Sequence, residues 1–212
     1  MAAPRLLLQG RHIAGISKFV TQHLTMRRLI YVMHLSLDGY YADSRGDMQW
    51  VHMTDAIGAW VQQFLDACDA SVYGRVTYDL MVGFWPGAEE NPQVNTQRHV
   101  LDTARWINPV QKYVFSRTLE KTDWQPTEII KENIVDAMKT IKQQPGGHIA
   151  LLGSGSIGQL FMSHGLIDDY YLSLSPVTLG AGAALFHQPL KLKLCSSTAF
   201  PNGSVGLHYQ PI

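Results

Sequence analysis

The sequence is poor in the features that would classify it at a glance. Two cysteines, Cys68 and Cys195, stand in 212 residues with no spacing pattern around either, so no disulfide framework is expected and both should be buried free thiols. An excess of charge of one sign is missing as well. Lys plus Arg number 17 and Asp plus Glu number 17, which leaves no long-range field to attract nucleic acid or an anionic membrane surface. No run reaches the roughly 18 consecutive apolar residues of a membrane span. The 9 histidines form neither HExxH nor a His/Cys pair at ligand spacing, so no metal site is expected. GxxxxGK[ST], the strict P-loop pattern, is also absent. What is present is a globular composition, 46% hydrophobic. At this length one domain buries about 70% of its unfolded surface, enough for a core with a cofactor cleft.

The first 25 residues, "MAAPRLLLQGRHIAGISKFVTQHLT", carry Arg5, Arg11 and Lys18 but no acid. An amphipathic targeting segment, a stretch upstream of the true start at Met26, and a structural arm all fit them. The economical division is an N-terminal extension over 1–25 and one domain over 26–212.

Along that domain, "RLIYVMHLSLDG" (28–39) is apolar on both faces and suits a central strand ended by a turn at "DG". "YYADSRGDMQW" (40–50) reads as a loop across an open edge of the core. "DAIGAWVQQFLDACD" sets Ile57, Trp60, Val61, Phe64, Leu65 and Cys68 at helical spacing, with Asp55 or Thr54 at its polar N-terminus. "ASVYGRVTYDLM" (70–81) reads as strand, glycine switch and new helix. A surface loop, "GFWPGAEENPQVN", precedes a helix whose Val100, Leu101, Ala104 and Ile107 share a stripe. Then come a strand over 111–120 with Ser116 and Arg117 at its end, a helix over 134–147 stopped by Pro145 and Gly146, the strand "HIALLGS", and the helix "SIGQLFMSHGL". "IDDYYLSLSPVTLGAG", "LKLKLCSSTAF" and "SVGLHYQPI" complete a sheet. Strands alternating with helices predict an α/β fold with late antiparallel strands at its edge.

Three segments fall where strands end: "GRVTY" (74–78), "SRT" (116–118) and "GSGSI" (153–157). Ligands of α/β sheets gather at the carboxyl ends of strands, and helix N-termini near Arg75 and Ser154 offer free N–H groups to anionic oxygens. Arg75 and Arg117 add forked donors suited to a phosphate. Each segment also reads simply as a solvated turn.

Through "SLDGYYADSRGDMQW", "YGRVTY", "KYVFSRTL", "LLGSGSIGQLF" and "LIDDYYLSLSPVTLGAGAALF", in that order, the chain resembles the dihydrofolate-reductase-like family that includes the reductase domain of bacterial riboflavin biosynthesis, the RibD C-terminal branch. The resemblance implies a dihydrofolate-reductase-like single domain, with a mixed, mostly parallel central sheet flanked by helices and an antiparallel C-terminal edge. It also implies NADPH as cofactor. Gly74, Arg75 and Thr77 match the segment around the cofactor phosphates, and Ser116 and Arg117 the strand end beside the adenosine 2′-phosphate. Gly153, Ser154, Gly155, Ser156 and Ile157 match the glycine-rich turn facing the pyrophosphate. Ser36, Asp38 and Gly39 belong to the segment resembling the nicotinamide wall.

In dihydrofolate reductases the Gly-Gly bond of that turn is cis; here the pair is Gly153-Ser154, and a non-proline cis bond costs about 2.5 to 4 kcal/mol. "DMQW" resembles the mobile active-site loop, and Asp55 lies five residues beyond its Trp50, at the separation of the family's pterin-binding carboxylate. Asp55 is therefore either a helix cap or, with Trp50, part of a catalytic pair that orients the acceptor and delivers a proton. The expected function is NADPH-dependent reduction of a small heterocycle in the cytoplasm, with 5-amino-6-(5-phosphoribosylamino)uracil the leading substrate. Another imine, pterin or xenobiotic is the alternative, and a non-catalytic nucleotide-binding protein is a third reading. A homodimer is the expected assembly, with neither nucleic acid nor membrane as partner.

Overall fold

Apolar side chains on both faces of "LIYVMHLS" make a strand that has to be covered on both sides. In the computed structural model, which describes residues 26–212, this segment is β1 (Leu29–Ser36), buried along nearly all its length. The alternative readings of residues 1–25 lie outside the described residues. The chain continues through β2 (Tyr40–Ala42), α1 (Asp55–Leu65), β3 (Cys68–Gly74), α2 (Arg75–Val82), a short 3-10 turn at Trp85–Gly87, α3 (Arg98–Ile107), β4 (Gln111–Phe115) and β5 (Thr127–Ile130). It ends with α4 (Ile134–Gln143), β6 (His148–Leu152), α5 (Gly155–Ser163), β7 (Asp169–Ser175), β8 (Ala183–Ala184), β9 (Leu192–Ala199) and β10 (Val205–Pro211).

The main sheet has the order β5-β4-β3-β6-β1-β7-β10-β9. Its first six strands are parallel, whereas β10 runs antiparallel to β7 and to β9. The mostly parallel sheet with an antiparallel C-terminal edge is the one the sequence predicts. Helices cover both faces, as parallel strands require. Alternate residues of β1 enter different cores: Tyr31 and Met33 pack with Met138 of α4 and Phe161 of α5, while Ile30 and Val32 pack with Trp60 and Phe64 of α1 and Trp106 of α3.

Several details differ from the sequence reading. The predicted loop 40–50 begins with β2, which pairs with the two residues of β8. β5 has no counterpart in the prediction, because its four residues, three partly buried and Glu128 exposed, occupy a sheet edge and show no strong alternation. Thr54, not Asp55, caps α1, accepting the Ile57 N–H at 3.3 Å. Leu101 is only partly buried and Trp106 takes its place in the buried stripe of α3. Cys68 is buried as expected, but Cys195 is exposed on β9, the last strand of the sheet among the described residues.

Candidate active-site cleft

The cleft opens because β6 stops before its neighbour does. β1 and β6 pair only as far as Val32 and Leu152, whereas β1 stays with β7 through Ser36 and Ser175. Gly153 closes the ladder by donating its N–H to the Val32 carbonyl at 3.0 Å, and the chain then turns into α5. Beyond that point Met33 and His34 of β1 border open space. The space is a cleft of about 930 Å³ at the carboxyl ends of β3, β4 and β6, where ligands of open α/β sheets are held.

One side of the cleft is built from backbone. The Gly153-Ser154 turn keeps both residues left-handed, with φ of 55° and 59°. Among the described residues the cis bond is Gln125-Pro126, so Gly153-Ser154 is trans. Hydrogen bonds hold the strained Ser154: its Oγ accepts the Gly74 N–H at 2.9 Å and donates to the Leu152 carbonyl at 3.1 Å, while its N–H donates to Thr77 Oγ1 at 3.0 Å. These contacts tie the N-terminus of α2 to that of α5. Neither helix carries a side-chain cap, so both first turns keep N–H groups for a ligand. Ser116 and Arg117 follow β4 at the same corner, and Arg117 also borders a second hollow of about 500 Å³ with Lys131 and the start of α4.

Charge is distributed unevenly. Among the described residues the lining contains Arg75, Arg117, His34 and His99, and no Asp, Glu or Lys. Arg75 is already engaged, donating to Asp79 at 2.8 Å and to Thr118 Oγ1 at 2.7 Å. Arg117 is exposed and makes no hydrogen bond or ion pair among the described residues. The rest of the wall is largely apolar, including Met48, Met53, Leu80, Phe84, Trp85 and Val100.

Gly74, Arg75, Thr77, Ser116, Arg117 and the whole Gly153–Ile157 segment line this cleft. Ser36, Asp38, Gly39, Trp50 and Asp55 do not. Ser36 Oγ donates to Asp38 at 2.6 Å and accepts from the Tyr40 N–H at 3.0 Å. Asp38 accepts the N–H groups of Leu179 and Gly180, and these bonds, led by the one from Ser36, hold its carboxyl below the usual range. Asp38, held by Ser36, fastens the backbone at 179–180, while Gly39, at φ 86°, accepts the Leu185 N–H. The Trp50 indole N–H is spent on the Asp47 carbonyl at 3.2 Å.

Asp55 is bound to a neighbour. Its Oδ1 lies 2.7 Å from His99 Nδ1 and accepts the His99 backbone N–H at 3.1 Å; the side-chain hydrogen bond is the main reason its carboxyl is held low. The first turns of α1 and α3 meet here because Gly58 has no side chain: a Cβ would collide with that of His99. His99, not Asp55, lines the cleft. Sequence spacing therefore found the carboxylate and missed the imidazole it holds, 44 residues away.

His34 was also outside the sequence prediction. It sits on the face of β1 that otherwise carries Ile30 and Val32, its Nδ1 is buried without a hydrogen-bond partner, and burial lowers its pKa to about 4. It is neutral at pH 7. Phe84 and Trp85 reach the cleft as aromatic walls, whereas Tyr73 and Tyr78 are fully buried in the core.

A family model described as the RibD C-terminal domain matches residues 27–205, and the chain belongs to that family. The uncharacterized protein YyaP of Bacillus subtilis is 32% identical over 193 residues, which cover 90% of this chain and 98% of YyaP. A pyrimidine reductase-like protein from Corynebacterium diphtheriae shares the fold at 16% identity and TM-score 0.61, over 88% of this chain and 92% of that one. A Thermotoga maritima protein named as a deaminase and 5-amino-6-(5-phosphoribosylamino)uracil reductase shares it at 14% identity and TM-score 0.63, over 88% of this chain but 57% of that one.

Proposed function

We propose that this chain is an NADPH-dependent reductase of a small heterocyclic substrate, working in the cytoplasm. The observation that carries the reading is the paired helix N-termini of α2 and α5, uncapped and tied together by Ser154, beside an unengaged Arg117 in a cleft lined by no carboxylate. Two sets of free N–H groups suit a pyrophosphate, and Arg117 with Ser116 suits the extra 2′-phosphate that separates NADPH from NADH. An NADH pocket commonly places an acid at that corner.

When bound, reduced nicotinamide supplies the hydride. The chain's own residues then have three tasks: to hold the phosphates, to exclude water, and to hold a proton donor at the acceptor's polar edge. His99 fits the last. With Nδ1 engaged by Asp55, its Nε2 is the nitrogen left to exchange a proton, and the carboxylate fixes the ring's orientation. Asp55 is thus a positioning residue.

The test is a fluorescence titration with NADPH and NADH, followed by stopped-flow NADPH oxidation with 5-amino-6-(5-phosphoribosylamino)uracil, dihydrofolate and a panel of uncharged imines. NADPH should bind more tightly than NADH and be oxidised with at least one acceptor. Equal binding of the two would remove the 2′-phosphate assignment. Tight NADPH binding without oxidation by any acceptor would favour the nucleotide-binding protein that has no turnover.

A further inference from the structure

The geometry points to an acceptor that is uncharged, planar and largely apolar, with one polar edge toward His99, and that carries no phosphate. The inference rests on reading the cleft as a reductase site and names its substrate class.

Cations decide the matter first. Arg75 and Arg117, the cleft's two guanidinium groups, share one corner, because Arg75 bonds to Thr118, the residue after Arg117. That corner is also where the N-termini of α2 and α5 meet, so both cations and both sets of N–H groups belong to one anionic ligand. A phosphorylated acceptor would need a second anion site, and among the described residues the remaining wall contains no Lys or Arg. A phosphate held there would lose water without gaining a partner.

Exposure gives an independent reason. Of the eleven exposed large hydrophobic side chains among the described residues, five line this one cleft: Val76, Leu80, Phe84, Met48 and Met53, at 76%, 66%, 39%, 37% and 36%. Such side chains are normally scattered over a surface; concentrated in a concavity they mark a ligand face. Flexible thioethers beside the aromatic Phe84 and Trp85 suit a flat ring of varying outline. Polar recognition is left to His99, fixed by Asp55, and to neutral His34, which borders the cleft and whose buried Nδ1 has no partner among the described residues.

The experiment uses the full chain and follows tryptophan fluorescence, with and without NADPH, so that ligand binding is read apart from turnover. The probes are quinoxaline, an uncharged bicyclic C=N heterocycle, the same ring bearing a phosphonomethyl group, and 5-amino-6-(5-phosphoribosylamino)uracil. Quinoxaline should bind about tenfold or more tightly than its phosphonate, as expected for an anion left without a partner. The variant Leu80→Lys, at an exposed position where folding is safe, should narrow that gap by raising affinity for the phosphonate. Phosphonate or phosphoribosyl binding equal to or tighter than quinoxaline binding overturns the inference, as does no quinoxaline binding up to millimolar concentration. The NADPH titration separates the two readings: a protein that takes quinoxaline but not NADPH keeps this acceptor site and loses the cofactor assignment.

Discussion

Replacing Arg117 by Ala should weaken NADPH binding while leaving NADH binding and the fold unchanged. The side chain has no partner within the described residues, so its removal strands no group and should shift Tm by no more than about 2 °C. Its contribution is confined to the ligand. A charge-assisted hydrogen bond is worth about 1.5 to 3 kcal/mol, and Arg117 is exposed, so solvent screening trims this to about 1 to 2 kcal/mol. At about 1.4 kcal/mol per tenfold, the Kd for NADPH should rise about 5- to 30-fold, more at low ionic strength than at high. Arg75→Ala provides the contrast. Its guanidinium is already shared between Asp79 and Thr118, so the expected loss is about threefold or less. Isothermal titration of both cofactors against the wild type and both variants gives the comparison. Equal losses of NADPH and NADH affinity in Arg117→Ala, or a larger loss in Arg75→Ala, would refute the assignment of the 2′-phosphate to Arg117.

Asp55→Asn should keep the NADPH Kd and Tm but lower turnover about tenfold, since the uncharged amide holds the His99 ring less firmly; an unchanged kcat would remove the pair from the mechanism. Lys112 is fully buried on the carbonyls of Asn108 and Val110 and over the Trp124 ring, and burial lowers its pKa from 10.5 to about 8. The unfolded chain therefore binds the extra proton between those values, so stability should rise with pH from about 8 to about 10.5; Lys112→Met should flatten that rise in urea midpoints, and an identical slope in both proteins would contradict it. Ser154→Ala keeps the left-handed strain and leaves the Gly74 N–H without its acceptor, costing about 1 to 3 kcal/mol, whereas Ser154→Gly relieves about 1 kcal/mol of the strain and should lose less; the reverse order in thermal melts would show that the hydroxyl does not support the turn.

The elements that the sequence announced are those whose signal is local. Val, Ile, Leu and Tyr on both faces of 29–35 admit little but a buried central strand, and Gly74 between an apolar strand and a helical stripe marks the switch to α2. β2 and β8 were illegible because two or three residues carry no period, and their pairing joins positions more than 140 apart. Cys195 shows another limit. Its segment alternates like a strand, but burial depends on which side of the sheet has a neighbour, and β9 is last in the order.

The cleft divides along the same line. Its backbone half was readable, because a turn that must hand a strand over to a helix has to be written in glycine, serine and small polar residues at fixed offsets. The side-chain half depends on where two helices cross. Asp55 and His99 meet only because Gly58 lets α3 approach α1, and nothing near position 99 announces that contact. Ser36, Asp38 and Gly39 fail for the opposite reason: a strand-end "S-x-D-G" satisfies its own polar groups on the 176–180 backbone. A carboxylate with its hydrogen bonds filled by the protein holds the scaffold in place, while the imidazoles and N–H groups left unfilled are the ones with capacity for a ligand. In this fold those unfilled groups, Arg117, His99, His34 and the first turns of α2 and α5, all border one cleft, and that coincidence is the physical basis for assigning the chemistry to it.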